Sequence, residues 1–329
     1  MMQGPPQNPG CGVMSPNRVR NLPLEHVSVD LWAANLQVQP DSLQSWLASV
    51  ETHLQGAAAR GVQLLVLPEF SCASWLAFAP KDLPGDQHLS WLAQTAVEAF
   101  EPLRQLVAQT GVALLPGTFP VAFPSVDAPE GYLNQAWFLT PDGGLQVQNK
   151  LSLTPLEANG AGGVTIAGTG INVFEWQGLR CVIAICLDAE YTALWSKLGE
   201  LDLDLVIIPA KTDMITGYNR VFGCARARAI ELQTAVCCVG AVGAPLTPWQ
   251  QDTGVGGASV YLPCDVSVAL DGMHAALPPQ TAAHGTDLVL QAVAIPVGQC
   301  RRIRAGAAEA EVRPGLWSGD HLTVEGEAA

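Results

Sequence analysis

Between residues 26 and 295 the chain alternates apolar runs of strand length with stretches whose apolar side chains recur every three or four positions. "HVSVDLWAANLQ" reads as a strand, and behind an Asp41 or Ser42 cap the residues Leu43, Trp46, Leu47, Val50 and Leu54 share one helical face. "VQLLVLPEF" follows as a buried strand, so the chain opens strand, helix, strand. A helix around 87–109, disturbed at Pro102, leads to a short strand "VALLPGTF". "NQAWFLTPDGGLQVQNK" then folds back on itself at Pro-Asp-Gly-Gly.

The Gly-rich "LEANGAGGVTIAGTG" predicts loop, and "INVFEWQGLRCVIAIC" a hairpin turning at Gln177-Gly178. "YTALWSKLGE" places Tyr191, Leu194, Trp195 and Leu198 on one helical face, and "LDLVIIPA" is another buried strand. A second helical stripe runs through Tyr218, Val221, Phe222, Ala225, Ala229 and Leu232 before the strand "TAVCCVGAVG". Loop is expected to about Ser259, then a strand "SVYLPCD", a polar loop at 271–286 and a strand "DLVLQAVAIPV". With no internal repeat or interior linker, the pattern predicts one α/β domain over residues 23–300. A flexible Pro/Gly-rich leader is expected at 1–22 and an irregular tail at 301–329.

Composition narrows the function. A formal net charge of -14, with only 16 Lys plus Arg in 329 residues, argues against a nucleic-acid partner. No apolar run approaches the ~20 residues of a spanning helix, and the start "MMQGPPQNPGCG" lacks the regions of a signal peptide, so a soluble, cytoplasmic protein without a membrane partner is expected. The 9 cysteines include no CxxC pair, which favours free thiols over disulfides or a metal site. A cysteine with a chemical task is then a nucleophile.

Glu69 ends the apolar run "LLVLPEF", at the carboxyl edge of a buried strand where sites of α/β sheets gather. Lys150 ends "LQVQNK" in a stretch otherwise free of basic residues, suited to stabilising an oxyanion, although strand-end lysines commonly just point into water. Glu157 closes the same stretch and can pair with it, structurally or catalytically. Cys186 follows "VIAI" at an expected strand-to-helix turn near Ala189 or Glu190, where a helix N-terminus would lower its pKa. Cys181, Cys237 and Cys238 lie within strand runs and read as core. The Gly-rich segment lacks the strand-to-helix context and GK[ST] ending of a phosphate loop, and "GGASVY" does not match the GxSxG elbow.

Glu, Lys and Cys in this order, carried by "LLVLPEF", "LTPDGGLQVQNKLSLTPLE" and "IAICLDAEYTALWSKLGELDLDLVIIPA", resemble the three signature blocks of the nitrilase, or carbon–nitrogen hydrolase, superfamily. "RARAIELQTAVCCVG" resembles the helix and strand that follow, and the resemblance covers roughly residues 25–300. It implies a four-layer αββα sandwich pairing into an αββααββα homodimer. It further implies that Glu69 is the general base, Lys150 the cation over the tetrahedral intermediate, Cys186 the nucleophile and Glu157 the second glutamate. No metal or organic cofactor is implied.

The chain departs from the superfamily at Leu187, where an aromatic residue usually follows the cysteine, and at Thr192, where a proline is usual. "CLDAEY" resembles amidase-like C-x-D branches more than the C-W-E of nitrilases, so the expected partner is a small amide-type substrate. Phe70, Trp137, Leu187 and Trp195 are candidate substrate-binding residues by their closeness to the motifs, with Trp75 nearby. Nitrile hydrolysis, acyl transfer to an amine through the same thiol, and a non-catalytic scaffold on the same fold are the alternatives.

Overall fold

The computed structural model describes residues 24–123, 131–160, 164–244, 254–281, 287–307 and 321–323; the expected leader at 1–22 and most of the tail lie outside them. In chain order, β1 (Val27–Ala33), α1 (Leu43–Ala59), β2 (Leu64–Val66), α2 (His88–Thr110), β3 (Ala113–Leu115), β4 (Thr118–Ala122), β5 (Gly131–Leu139) and β6 (Leu145–Asn149) form the first half. They are followed by α3 (Pro155–Ala158), β7 (Val164–Ile166), β8 (Val173–Trp176), β9 (Leu179–Ile183), α4 (Thr192–Leu198), β10 (Leu205–Ala210) and α5 (Ile215–Leu232). β11 (Ala235–Gly240), β12 (Gly256–Tyr261), β13 (Met273–Gln280), β14 (Leu288–Ile295) and α6 (Val297–Arg302) complete the set.

Two mixed sheets result. One runs β14-β1-β2-β3-β5-β4 with β6 and β7 also paired to β5, and the other runs β13-β12-β11-β10-β9-β8. Period-two alternation explains why they stack, since successive strand side chains point to opposite faces. Val27, Val29, Leu31, Leu64, Val66, Leu115 and Phe138 face a core continuous with the buried strand residues of the second sheet, Val182, Ile183, Val206, Ile207 and Val239 among them. Their neighbours Trp32, Leu65, Leu114, Trp137 and Leu139 point the other way, onto Trp46, Val50, Leu54, Leu92, Leu103 and Val107 of α1 and α2. Tyr218, Val221, Phe222, Ala225 and Ala229 of α5 cover the outer face of the second sheet, which makes four layers, αββα.

Most predicted elements stand, with four differences. "VALLPGTF" holds two strands, because Gly117, at φ +90° with Pro68 O only 2.2 Å from where a Cβ would sit, turns the chain between β3 and β4. The expected loop at 271–286 contains β13, an edge strand paired only to β12, where Pro278 and Pro279 need not donate to a second neighbour. β12 starts before Ser259, at Gly256, whose Cβ would lie 2.1 Å from Ala241 O. The Gly-rich stretch expected as loop carries the short elements α3 and β7.

α2 runs through Pro102, its missing N–H falling near the exposed Glu98, where solvent can take the freed carbonyl. Past residue 300 helical turns continue to Ala307, anchored where Arg301 and Arg304 both donate to Asp204. Among the described residues no helix is long and apolar enough to cross a membrane.

Phe138 holds the sheets together, packed 5.0 Å from the ring of Phe174 and 5.4 Å from that of Trp176, and fully buried. Phe138→Ala should lower the unfolding free energy by about 3–5 kcal/mol, seen as a lower urea midpoint at unchanged slope.

Candidate active site

The carboxyl ends of β2, β6, β9 and β10 meet at one end of the sandwich, and each delivers a group. Glu69 follows β2, in a turn whose next residue, Phe70, has φ +50°; the Phe70 N–H donates to Thr118 Oγ1 at 2.9 Å. Lys150 follows β6, its N–H bonded to the Asn134 carbonyl of β5 at 2.8 Å. Cys186 follows β9 and also sits at φ +50°, opening a short 3-10 turn over Cys186–Ala189. Left-handed backbone at two non-glycine residues costs about 1–3 kcal/mol each and persists only where the surroundings hold it.

Asp188 holds the cysteine turn. Its carboxylate accepts from the N–H of Ile185 at 3.1 Å, of Leu151 at 3.2 Å and of Ser152 at 2.8 Å, and also from the Ser152 hydroxyl. One buried side chain therefore ties the Cys186 turn to the segment that carries Lys150. Burial raises its pKa, opposed by those donors. From behind, Trp195 Nε1 donates to Asp188 O at 3.1 Å and Arg228 Nε to Ala189 O at 3.3 Å.

At the centre lies an ion cluster. Lys150 Nζ, its side chain 2% exposed, donates to Glu69 Oε1 at 2.8 Å and to Glu157 Oε1 and Oε2 at 2.9 and 2.8 Å. Asn134 Nδ2 donates to Glu69 Oε1 at 2.9 Å and to Glu157 Oε1 at 3.4 Å. Its Oδ1 is buried with no described partner, a state that ordinarily costs about 1–3 kcal/mol. Glu157 is aimed by a capping box on α3: Thr154 Oγ1 accepts from the Glu157 N–H at 3.3 Å, and Glu157 Oε2 accepts from the Thr154 N–H at 2.8 Å.

The Lys211 backbone, just beyond β10, bridges Glu69 and Cys186. Its N–H donates to Glu69 Oε2 at 2.9 Å, and its carbonyl lies 3.5 Å from Cys186 Sγ. The thiol is also within hydrogen-bonding reach of Glu69.

Electrostatics separates the roles. Burial opposes the charge on Lys150, but Glu69, Cys186 and Glu157 outweigh it and push its pKa up. Burial raises Glu69 above the usual carboxylate range, with Lys150 opposing and Glu157 reinforcing the rise. Glu157 falls below its ordinary value because Lys150 overcomes its burial. Burial and the Glu69 charge push the Cys186 thiol well up. The expected lowering by a helix N-terminus is therefore not found: the turn is 3-10, the thiol is enclosed, and a carboxylate sits beside it. The resting thiol is neutral, next to a carboxylate with raised proton affinity.

The structure thus brings Glu69, Lys150, Glu157 and Cys186 together. Phe70 is half-buried against Leu36, Ala73 and Ala241, and Leu187 is half-buried beside the cysteine. Trp137 and Trp195 are both buried. Trp137 packs between Phe119 and Phe100 in the core facing α1 and α2, as Trp75 does against Phe119 and Trp46. Trp195 lies under the Cys186 turn, with the Arg228 guanidinium 5.6 Å above its ring. Sequence reasoning passed over Asn134, Asp188 and the Lys211 backbone; the T-x-x-E capping-box pattern at Thr154 and Glu157 was the one local signal available.

The family model for carbon–nitrogen hydrolases matches residues 33–300. The chain belongs to that family. It is 25% identical over 235 residues to "Probable hydrolase YhcX" of Bacillus subtilis (strain 168), a match covering 70% of this chain and 44% of that protein. It is 28% identical over 196 residues to "Omega-amidase NIT2" of Xenopus tropicalis, covering 56% of this chain and 64% of the relative. The chain thus spans between about half and two thirds of these relatives' length. Among solved structures, an amidase from Nesterenkonia sp. superposes with a TM-score of 0.62 at 20% identity, over 87% of this chain and 95% of that one. A variant of it carrying the acetamide moiety of fluoroacetamide on its active-site cysteine superposes with a TM-score of 0.62 at 19% identity, over 85% and 94%. These structures share the fold of this chain.

Because the Glu157 charge raises Glu69, Glu157→Gln, which keeps the capping box, should move the acid limb of Cys186 alkylation by iodoacetamide to lower pH. Mass spectrometry of the Cys186 peptide across a pH series checks the sign.

Proposed function

We propose that the protein is a thiol-dependent amidase that hydrolyses a small non-peptide amide and releases ammonia or an amine. The observation that carries this reading is the joining of a neutral, buried Cys186 to a proton-hungry Glu69, through the Lys211 backbone and beside the Lys150 ammonium. A neutral thiol is a poor nucleophile, and a carboxylate in reach removes its proton as attack proceeds.

Cys186 Sγ forms a bond to the carbonyl carbon while its proton passes to Glu69. The resulting oxyanion is held by Lys150 and the backbone N–H that follows the cysteine, donors already oriented in a dry site. Glu69 gives its proton to the departing nitrogen, the C–N bond breaks and a thioester remains. Glu69 then takes a proton from water, whose oxygen attacks the thioester; the acid leaves and the proton returns to sulfur. Glu157, bonded to Lys150 and kept ionised by it, orients the ammonium. Phe70 and Leu187, half-buried beside the reacting groups, are the pocket residues this reading retains. Pairing of two copies into an αββααββα homodimer and a cytoplasmic location belong to the same proposal, supported by the resemblance and the composition.

Ammonia release across small amides, ω-amides, carbamoyl compounds and nitriles, with and without an added amine, tests the reading. Turnover of amides but not nitriles is expected. Cys186→Ala should abolish it in a folded protein, and Lys150→Gln should lower kcat at least ~100-fold, as when one oxyanion donor is lost. Retained turnover in pure Cys186→Ala protein would contradict the mechanism.

A further inference from the structure

Among the described residues, Asn134 is the one neutral side chain that bonds both carboxylates of the cluster. It reaches them from the middle of β5, a strand hydrogen-bonded to β3, β4, β6 and β7, so it is held in the stiffest part of the sheet. Its backbone carbonyl meanwhile receives the Lys150 N–H at 2.8 Å, so the same residue fixes the chain that carries the ammonium. With two carboxylates on one side, only the NH2 end can face them, since a flipped amide would point its oxygen at two anions. The price of that orientation is visible: Oδ1 is left buried without a described partner. A residue kept only for packing would be satisfied at both ends or replaced by an apolar one of like volume.

We propose that Asn134 is a positioning residue that sets the proton affinity of Glu69, by donating to the ionised carboxylate and holding it apart from Glu157. This rests on the reading of Glu69 as the group that takes the Cys186 proton. Glu69 Oε1 has two donors, Lys150 and Asn134, while Oε2 has the Lys211 N–H. The charged or titratable groups facing Glu69 are Lys150 from the end of β6, Glu157 from α3 and Cys186 from the turn after β9. A donated hydrogen bond favours the ionised form, so removing Asn134 leaves Glu69 with the Lys150 ammonium and the Lys211 N–H against burial and a second carboxylate. Its proton is then held to higher pH, and the fraction of molecules with Glu69 free to accept the thiol proton falls in the acid range.

The test measures the rate of Cys186 alkylation by iodoacetamide against pH, following the Cys186 peptide by mass spectrometry so that other thiols do not contribute. It is run on wild type, on the isosteric Asn134→Asp and on Asn134→Ala, each verified as folded by thermal melting. The acid limb should move to higher pH by about one unit in Asn134→Ala and by at least as much in Asn134→Asp, where a third carboxylate joins the cluster. At pH values well above the limb the three rates should converge to within ~3-fold. Loss of rate by one factor at every pH, with an unmoved limb, would show a merely structural role and overturn the proposal; so would a wild-type profile with no acid limb. Alkylation needs no amide substrate, so variants showing the shifts while wild type releases no ammonia from any amide would sink the proposed activity and support the role of Asn134.

Discussion

The Lys150 ammonium, almost wholly out of water, is kept charged by two carboxylates that arrive from different parts of the chain. An ion so placed is tolerated only when it is fully paired, and removing one partner of such a pair typically costs about 3–5 kcal/mol. The pairing therefore constrains the fold as much as it serves the site. The end of β2 must meet the end of β6, and α3 must turn its Glu157 back on both. The carboxylate with more burial and a like-charged neighbour ends up with high proton affinity, and the one capped by Thr154 stays ionised. Two glutamates on one lysine are thereby given different chemistry by their surroundings alone.

Around that cluster the backbone does the aiming. Phe70 and Cys186 both occupy the left-handed region, each immediately beyond a strand, where the chain must leave the sheet abruptly to place a side chain at its edge. Asp188 compensates at the cysteine by gathering backbone donors from two segments, while Trp195 and Arg228 bind the carbonyls on the far side of the turn. The second sheet contributes through Lys211, whose main chain touches both Glu69 and Cys186, so the two sheets are joined beside the thiol.

Strands with strict alternation, helices with a clear stripe, and the groups at strand ends were legible from residue order, because burial imposes period two or period three to four on the chain. The start of β12 and the whole of β13 were not. Glycines chosen for close backbone approach, and prolines tolerated on an edge, imitate loop composition. Trp137 and Trp195 are near the motifs in sequence and are buried, Trp137 against Phe119 and Phe100 and Trp195 behind the Cys186 turn, since alternation along β5 and the face of α4 decide where they pack. The raised thiol pKa and the roles of Asn134, Asp188 and Lys211 depend on contacts between residues far apart in the chain, such as Glu69 and Lys211, which no local pattern encodes.

The central claim is that the Cys186 sulfur becomes acylated during amide cleavage, with Glu69 carrying the proton in both directions. Rapid acid quench of the protein mixed with a small amide, followed by mass spectrometry of the Cys186 peptide, tests it most directly. An acyl adduct on Cys186 that forms faster than turnover, and that added hydroxylamine removes as the hydroxamate, is the predicted result. Ammonia released at the full rate with no adduct on Cys186 at any quench time would contradict it.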